Sequence, residues 1–108
     1  MPGTWKSSII IEAKDMIPVH PGRMLRREME ARELSANRLA LALRLPSGRI
    51  TDILNGKRGI SPETALRLGR YFGNDARFWM NLQTNYELAV AEREIGERVM
   101  AEVTPDAA

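Results

Sequence analysis

The sequence predicts an all-α protein of five helices, the last of them long, behind an N-terminal arm that is either flexible or one short strand. Three observations carry that expectation. Capping residues followed by proline or a polar first turn recur after residue 20. Apolar residues between those starts repeat at three- and four-residue spacing. The one β-like run, Ile9-Ile10-Ile11, has no second strand to pair with, so its order would depend on a second chain. At 108 residues the chain suits one domain. The expected division is an arm over 1–17, a helical body with a dimerising last helix over 18–103, and a frayed tail over 104–108.

Each element follows from local signals. In "HPGRMLRREMEAR", His20 stands as a cap and Pro21 at the first helical position, with Met24, Leu25 and Met29 on one side. "LSANRLALAL" opens at Ser35, whose hydroxyl can satisfy an orphan backbone N–H, and turns Leu39, Ala40 and Leu43 inward. A third short helix runs from about residue 46 to residue 55, with Leu45, Ile50 and Ile53 inward and Gly56 closing it. "SPETALRLGRYFG" repeats the start with Ser61 and Pro62, places Ala65, Leu66, Leu68, Gly69 and Phe72 on its apolar side, and stops at Gly73. The last helix, "DARFWMNLQTNYELAVAEREIGERVM", is capped by Asp75 and sets Phe78, Leu82, Tyr86, Ala89 and Arg93 in line, with Trp79 and Val90 beside them.

The join "LALALRLPSGRI" is too short for the second and third helices to lie antiparallel in full contact, so they must cross steeply as a helix-turn-helix. Ala40 supplies the small residue at the crossing. With the aliphatic residues inward, Ser47, Gly48, Arg49, Thr51, Asp52 and Asn55 face outward. A helix of this length fits a DNA major groove. Arg49 can donate twice to guanine, and Thr51 offers a hydroxyl and a methyl to thymine. Ser47 and Gly48 permit close approach. Asn55 can pair with adenine or cap the helix end, and Asp52 must meet a cytosine amino group or hold an arginine. Asn37 and Arg38, in the first turn of the preceding helix, suit phosphate, and Lys57 and Arg58 suit the phosphates beyond the recognition helix.

Charge agrees with that placement. Residues 1–20 balance at zero, residues 21–58 hold nine Lys or Arg against four Asp or Glu, and residues 59–108 hold five against eight. The basic middle is the footprint expected for a polyanion, although solvated helix faces give the same count. Enzyme chemistry is not indicated: there is one histidine, no cysteine, no metal-ligand spacing and no phosphate-binding loop, so neither a catalytic residue, a metal nor a cofactor is expected. RNA binding is disfavoured because Trp5, Tyr71, Trp79 and Tyr86 form no stacking platform. No apolar run approaches the roughly 18 residues of a membrane span, and no secretion signal opens the sequence, so a cytoplasmic location without membrane contact is expected.

The blocks "HPG" at 20–22, "NGKRGIS" at 55–61, "TALRLGRYFG" at 64–73 and "FWMNLQTNYELAVAE" at 78–92, in that order, resemble the HigA family of addiction-module antitoxins, within the phage-repressor-like (XRE) helix-turn-helix proteins. The resemblance covers roughly residues 17–92. It implies a dimer that binds a palindromic double-stranded operator and represses its own operon. It also implies a partner toxin of the HigB type, a ribosome-dependent messenger RNA endonuclease. Two positions depart from the family pattern: Arg44 stands where the turn commonly has glycine, and Arg23 stands where a glutamate often follows "HPG". A free-standing transcriptional regulator without a toxin is the alternative reading, because both use the same DNA-binding unit. Phe78, Trp79, Leu82 and Tyr86 either complete the core or form the dimer interface, and a homodimer through this C-terminal region is the expectation.

Overall fold

In the computed structural model the chain is described from residue 17 to residue 107. The Ile9–Ile11 run of the arm lies outside the described residues. Among them are five helices and no strand: α1 (Gly22–Ala31), α2 (Ala36–Leu43), α3 (Ser47–Leu54), α4 (Pro62–Phe72) and α5 (Ala76–Glu102). Val19–Tyr86 form one compact unit, and the described residues from Glu87 onward belong to a second.

The starts use the side chains that the sequence offers. The Ser35 hydroxyl accepts from the Arg38 N–H at 3.1 Å, and the Ser61 hydroxyl accepts from the Thr64 N–H at 3.2 Å. A carboxylate oxygen of Asp75 accepts from the Arg77 N–H at 2.8 Å at the head of α5. At α1 the N-cap is Pro21, one residue ahead of the first helical position expected for it, and the Nδ1 of His20 before it accepts from the Gly22 N–H at 3.0 Å.

The first four helices end alike. In each, one residue takes a left-handed backbone and the next N–H returns to a carbonyl five residues back, which satisfies the last open acceptors. The left-handed residues are Glu33 (φ 54), Arg44 (φ 59), Gly56 (φ 74) and Gly73 (φ 79). The returning bonds are Leu34 to Met29 at 2.9 Å, Leu45 to Ala40 at 2.9 Å, Lys57 to Asp52 at 2.9 Å and Asn74 to Gly69 at 3.1 Å. Arg44 therefore holds the left-handed backbone that glycine commonly supplies, and the turn keeps its geometry at the expense of local strain.

The core takes Leu25 and Met29 from α1, Leu39, Ala40 and Leu43 from α2, Ile50 and Ile53 from α3, Ala65 and Leu68 from α4, and Trp79 from α5, with Ile60 closing it from the loop. Ala40, the small residue expected at the crossing, is buried in that core. Gly22 allows a second close approach, since a Cβ there would stand 2.2 Å from the Ile53 carbonyl oxygen. The start of α1 is thus seated on the end of α3.

Two expectations fail. Leu66, expected on the apolar side of α4, is 65% exposed, and Thr64 is buried. In α5 the inward line is Trp79 and Gln83, one position out of phase with the expected stripe, and Phe78 is left 37% exposed. Trp79 is fully buried, with its indole N–H donating to the Asn74 side-chain oxygen at 2.9 Å. It lies in the core, the first of the two roles expected of it.

Candidate nucleic-acid interface

The two-sided character of α3 follows from its spacing. Ile50 and Ile53 lie three residues apart and are fully buried, so the positions around them turn the other way. Ser47, Gly48, Thr51 and Asn55 are exposed, and Arg49 and Asp52 are half-buried at the edges. No side chain caps the start of α3, where Pro46 precedes Ser47 in an extended conformation (ψ 143). Asn37 and Arg38 are both exposed in the first turn of α2. Asn55 does not cap through its side chain; its backbone N–H donates to the Thr51 carbonyl at 3.0 Å.

The loop behind α3 is held from two directions. Gly56 adopts the left-handed backbone, and the N–H groups of Lys57 and Arg58 both donate to the Asp52 carbonyl, at 2.9 and 3.2 Å. From the other side, the buried Gln83 of α5 accepts the Ile60 N–H at 2.8 Å. Gly59 makes room for that side chain, since a Cβ there would lie 2.6 Å from the Gln83 amide nitrogen. The motif "NGKRGIS" thereby acquires a physical account: a left-handed glycine, two exposed cations, a glycine for clearance, a core isoleucine and a helix cap.

His20 joins the same region. Its ring stands edge-on to Tyr86 with centroids 4.9 Å apart. Burial lowers its pKa from the usual 6.5, and a hydrogen bond to the Arg58 backbone partly opposes that shift. With Nδ1 accepting from Gly22, the neutral ring carries its proton on the other nitrogen.

Ion pairing separates structural from available cations. Arg67 donates to the Leu43 carbonyl at 3.0 Å and pairs with Glu63 at 3.0 Å, tying α4 to the end of α2. Arg32 pairs with Glu28 and lies 4.7 Å over the Phe72 ring. Of the nine Lys and Arg in residues 21–58, Arg32 alone forms an ion pair among the described residues. Arg38, Arg49, Lys57 and Arg58 are therefore at hand for an external anion. Asp52 has no arginine partner among the described residues, which leaves the second of its two expected roles unfilled.

The support that Gln83 gives this loop is not among the roles expected from sequence. Its only signal was a polar residue four positions after Trp79 on one helix side. Of the expected dimerisation residues, Leu82 and Tyr86 are half-buried and Phe78 is exposed.

Comparison with known proteins agrees with this geometry. The model of the helix-turn-helix domain family matches residues 22–77. An addiction module antidote protein of the HigA family from Coxiella burnetii is 44% identical, with a TM-score of 0.82 over 84% of this chain and 100% of that one. The Pseudomonas aeruginosa antitoxin HigA, solved with the higBA promoter, is 43% identical, with a TM-score of 0.80 over 82% of this chain and 98% of that one. Virulence-associated protein I of Dichelobacter nodosus is 47% identical over 88 residues, 81% of this chain and 82% of the relative. These matches define a helix-turn-helix domain protein. The chain belongs to the HigA family of addiction-module antitoxins.

Proposed function

We propose that the protein is the antitoxin of a type II addiction module. As a dimer it binds operator DNA through α3 and represses its own operon, and it neutralises a HigB-type messenger RNA endonuclease. It acts by binding rather than catalysis, in the cytoplasm.

The observation that supports this reading most directly is the outward side of α3, polar along its length, beside cations that no carboxylate of the described chain engages. The similar Pseudomonas protein solved on its promoter supports the same reading. In the proposed complex Arg49 reads guanine, Thr51 and Asn55 read neighbouring bases, and Ser47 and Gly48 let the helix approach. Asp52 faces a cytosine amino group. Asn37, Arg38, Lys57 and Arg58 bind phosphate on either side. The toxin would meet the arm and the acidic C-terminal part of the chain, whose sign suits a basic ribonuclease.

Binding of the protein to a duplex from upstream of its own gene tests the first half. Affinity should exceed that for a scrambled duplex by about 10³-fold or more, and equal affinity for both would refute operator recognition. Co-expression with the adjacent small open reading frame tests the second half. Rescue of growth and co-purification are expected, whereas a gene with no growth-inhibiting neighbour makes the protein a free-standing regulator.

A further inference from the structure

Lys57 and Arg58 stand between two glycines, Gly56 and Gly59, so the cations of the loop are bounded by the two residues least able to hold a direction. On the near side the chain removes that slack itself. Gly56 takes its left-handed turn, and the N–H groups of Lys57 and Arg58 both donate to the Asp52 carbonyl, at 2.9 and 3.2 Å. On the far side the slack is removed from another helix: Oε1 of Gln83, a residue only 8% exposed, accepts the Ile60 N–H at 2.8 Å. We propose, on the reading of Lys57 and Arg58 as phosphate contacts, that Gln83 is a positioning residue for DNA binding, which fixes the peptide after Gly59 and so holds both cations where phosphate meets them.

Holding α4 in place does not require this bond. Ile60 is buried, and the Ser61 hydroxyl caps α4 at the Thr64 N–H, so the chain from Ile60 onward is fixed by apolar packing and by the cap. Packing of the Ile60 side chain leaves open the plane of the peptide before it. A peptide unit is rigid and turns only about the dihedrals at its two ends. One of those ends is Gly59, whose dihedrals are the softest a residue can have. Gln83 holds that unit by its single N–H and thereby sets the direction in which the backbone runs back to Arg58. A long cationic side chain rooted on a fixed backbone has less freedom to lose on reaching a phosphate than one on a swinging loop, and affinity gains by the difference.

Gly59 is the matching half of the arrangement. A Cβ there would stand 2.6, 2.7 and 2.8 Å from the nitrogen, oxygen and carbon of the Gln83 amide. Unlike Gly56, Gly59 does not take the left-handed backbone. An L-residue is therefore refused at this position by the Gln83 side chain.

Two substitutions at different residues should give one result. Gln83→Met keeps the length and helix preference of the side chain and removes the acceptor. Gly59→Ala leaves Gln83 in the sequence and pushes its amide off the Ile60 N–H. Both variants should bind the operator duplex and a scrambled duplex more weakly by a similar factor. Their slope of log affinity against log salt should be less steep than the parent's by about one, the loss of roughly one phosphate contact. Affinities are compared at a temperature where circular dichroism shows each variant folded. A residue that served the fold alone would lower the denaturant midpoint and leave the salt slope at the parental value, and that result overturns the proposal. In a Lys57→Ala, Arg58→Ala background, Gln83→Met should reduce neither affinity nor slope further, because its effect passes through those two side chains. An undiminished loss there overturns it as well. A parent with a flat salt dependence removes the phosphate role of Lys57 and Arg58, and the role of Gln83 with it; a steep parent beside variants that match it removes the role of Gln83 alone.

Discussion

His20 accepts a hydrogen bond from the first turn of α1 and packs its edge on Tyr86, and the hydrogen bond requires an unprotonated Nδ1. Because burial depresses its folded-state pKa below 6.5, the unfolded chain binds the proton more readily. The stability that His20 contributes is complete above pH 6.5 and is lost as pH falls through the lower folded value. Denaturant midpoints should therefore drop between about pH 7 and pH 5, and His20→Asn should flatten that slope; parallel slopes would remove His20 as the cause. Among the residues proposed to face DNA the expected effects differ in kind. Arg49→Ala should cost about 1–3 kcal/mol of operator binding and relax selectivity at one base pair. Lys57→Ala should weaken all duplexes alike and reduce the salt slope by about one. Binding titrations against a panel of single-base operator variants separate the two. If Arg49→Ala behaves like Lys57→Ala, Arg49 is a phosphate contact. These residues were legible because outward position on α3 follows from the two buried isoleucines alone. The dual role of His20 was not, since Tyr86 lies 66 residues away in the chain and only folding brings the two rings together.

At the scale of the element, the ends of the helices are the informative feature. Glu33 and Arg44 hold left-handed backbones that cost an L-residue about 1 kcal/mol. Arg44→Gly should accordingly raise stability by up to about 1 kcal/mol, read as a higher denaturant midpoint at unchanged slope. Gln83→Ala should act oppositely, costing about 1–3 kcal/mol by leaving the buried Ile60 N–H without a partner. Starts and stops were readable from sequence because capping is local: Ser35, Ser61 and Gly73 act within a turn of where they stand. The inward sides of the longer helices were less so. Leu66 and the Phe78 line were misassigned because several phases of α4 and α5 are similarly apolar, and the choice between them is made by the neighbours they meet. The left-handed Glu33 gave no signal at all, since no residue there prefers that backbone.

For the whole molecule, the distribution of charge sets the expected behaviour. With the basic residues of 21–58 mostly outside ion pairs, operator binding should rest on phosphate neutralisation and fall by about 10³-fold or more between 50 and 200 mM salt if six or more phosphates are met. A nearly flat dependence, measured by anisotropy on one duplex, would mean that these cations do not touch the backbone. This imbalance, like the helix count, could be read from the sequence, because both are sums over many residues and survive errors at any one. What no sum could supply is the connection through Gln83. One amide of α5 grips the loop that carries Lys57 and Arg58. The position of the α5 backbone at Gln83 and the course of the loop behind α3 are therefore tied by one buried amide, so neither can be changed without the other.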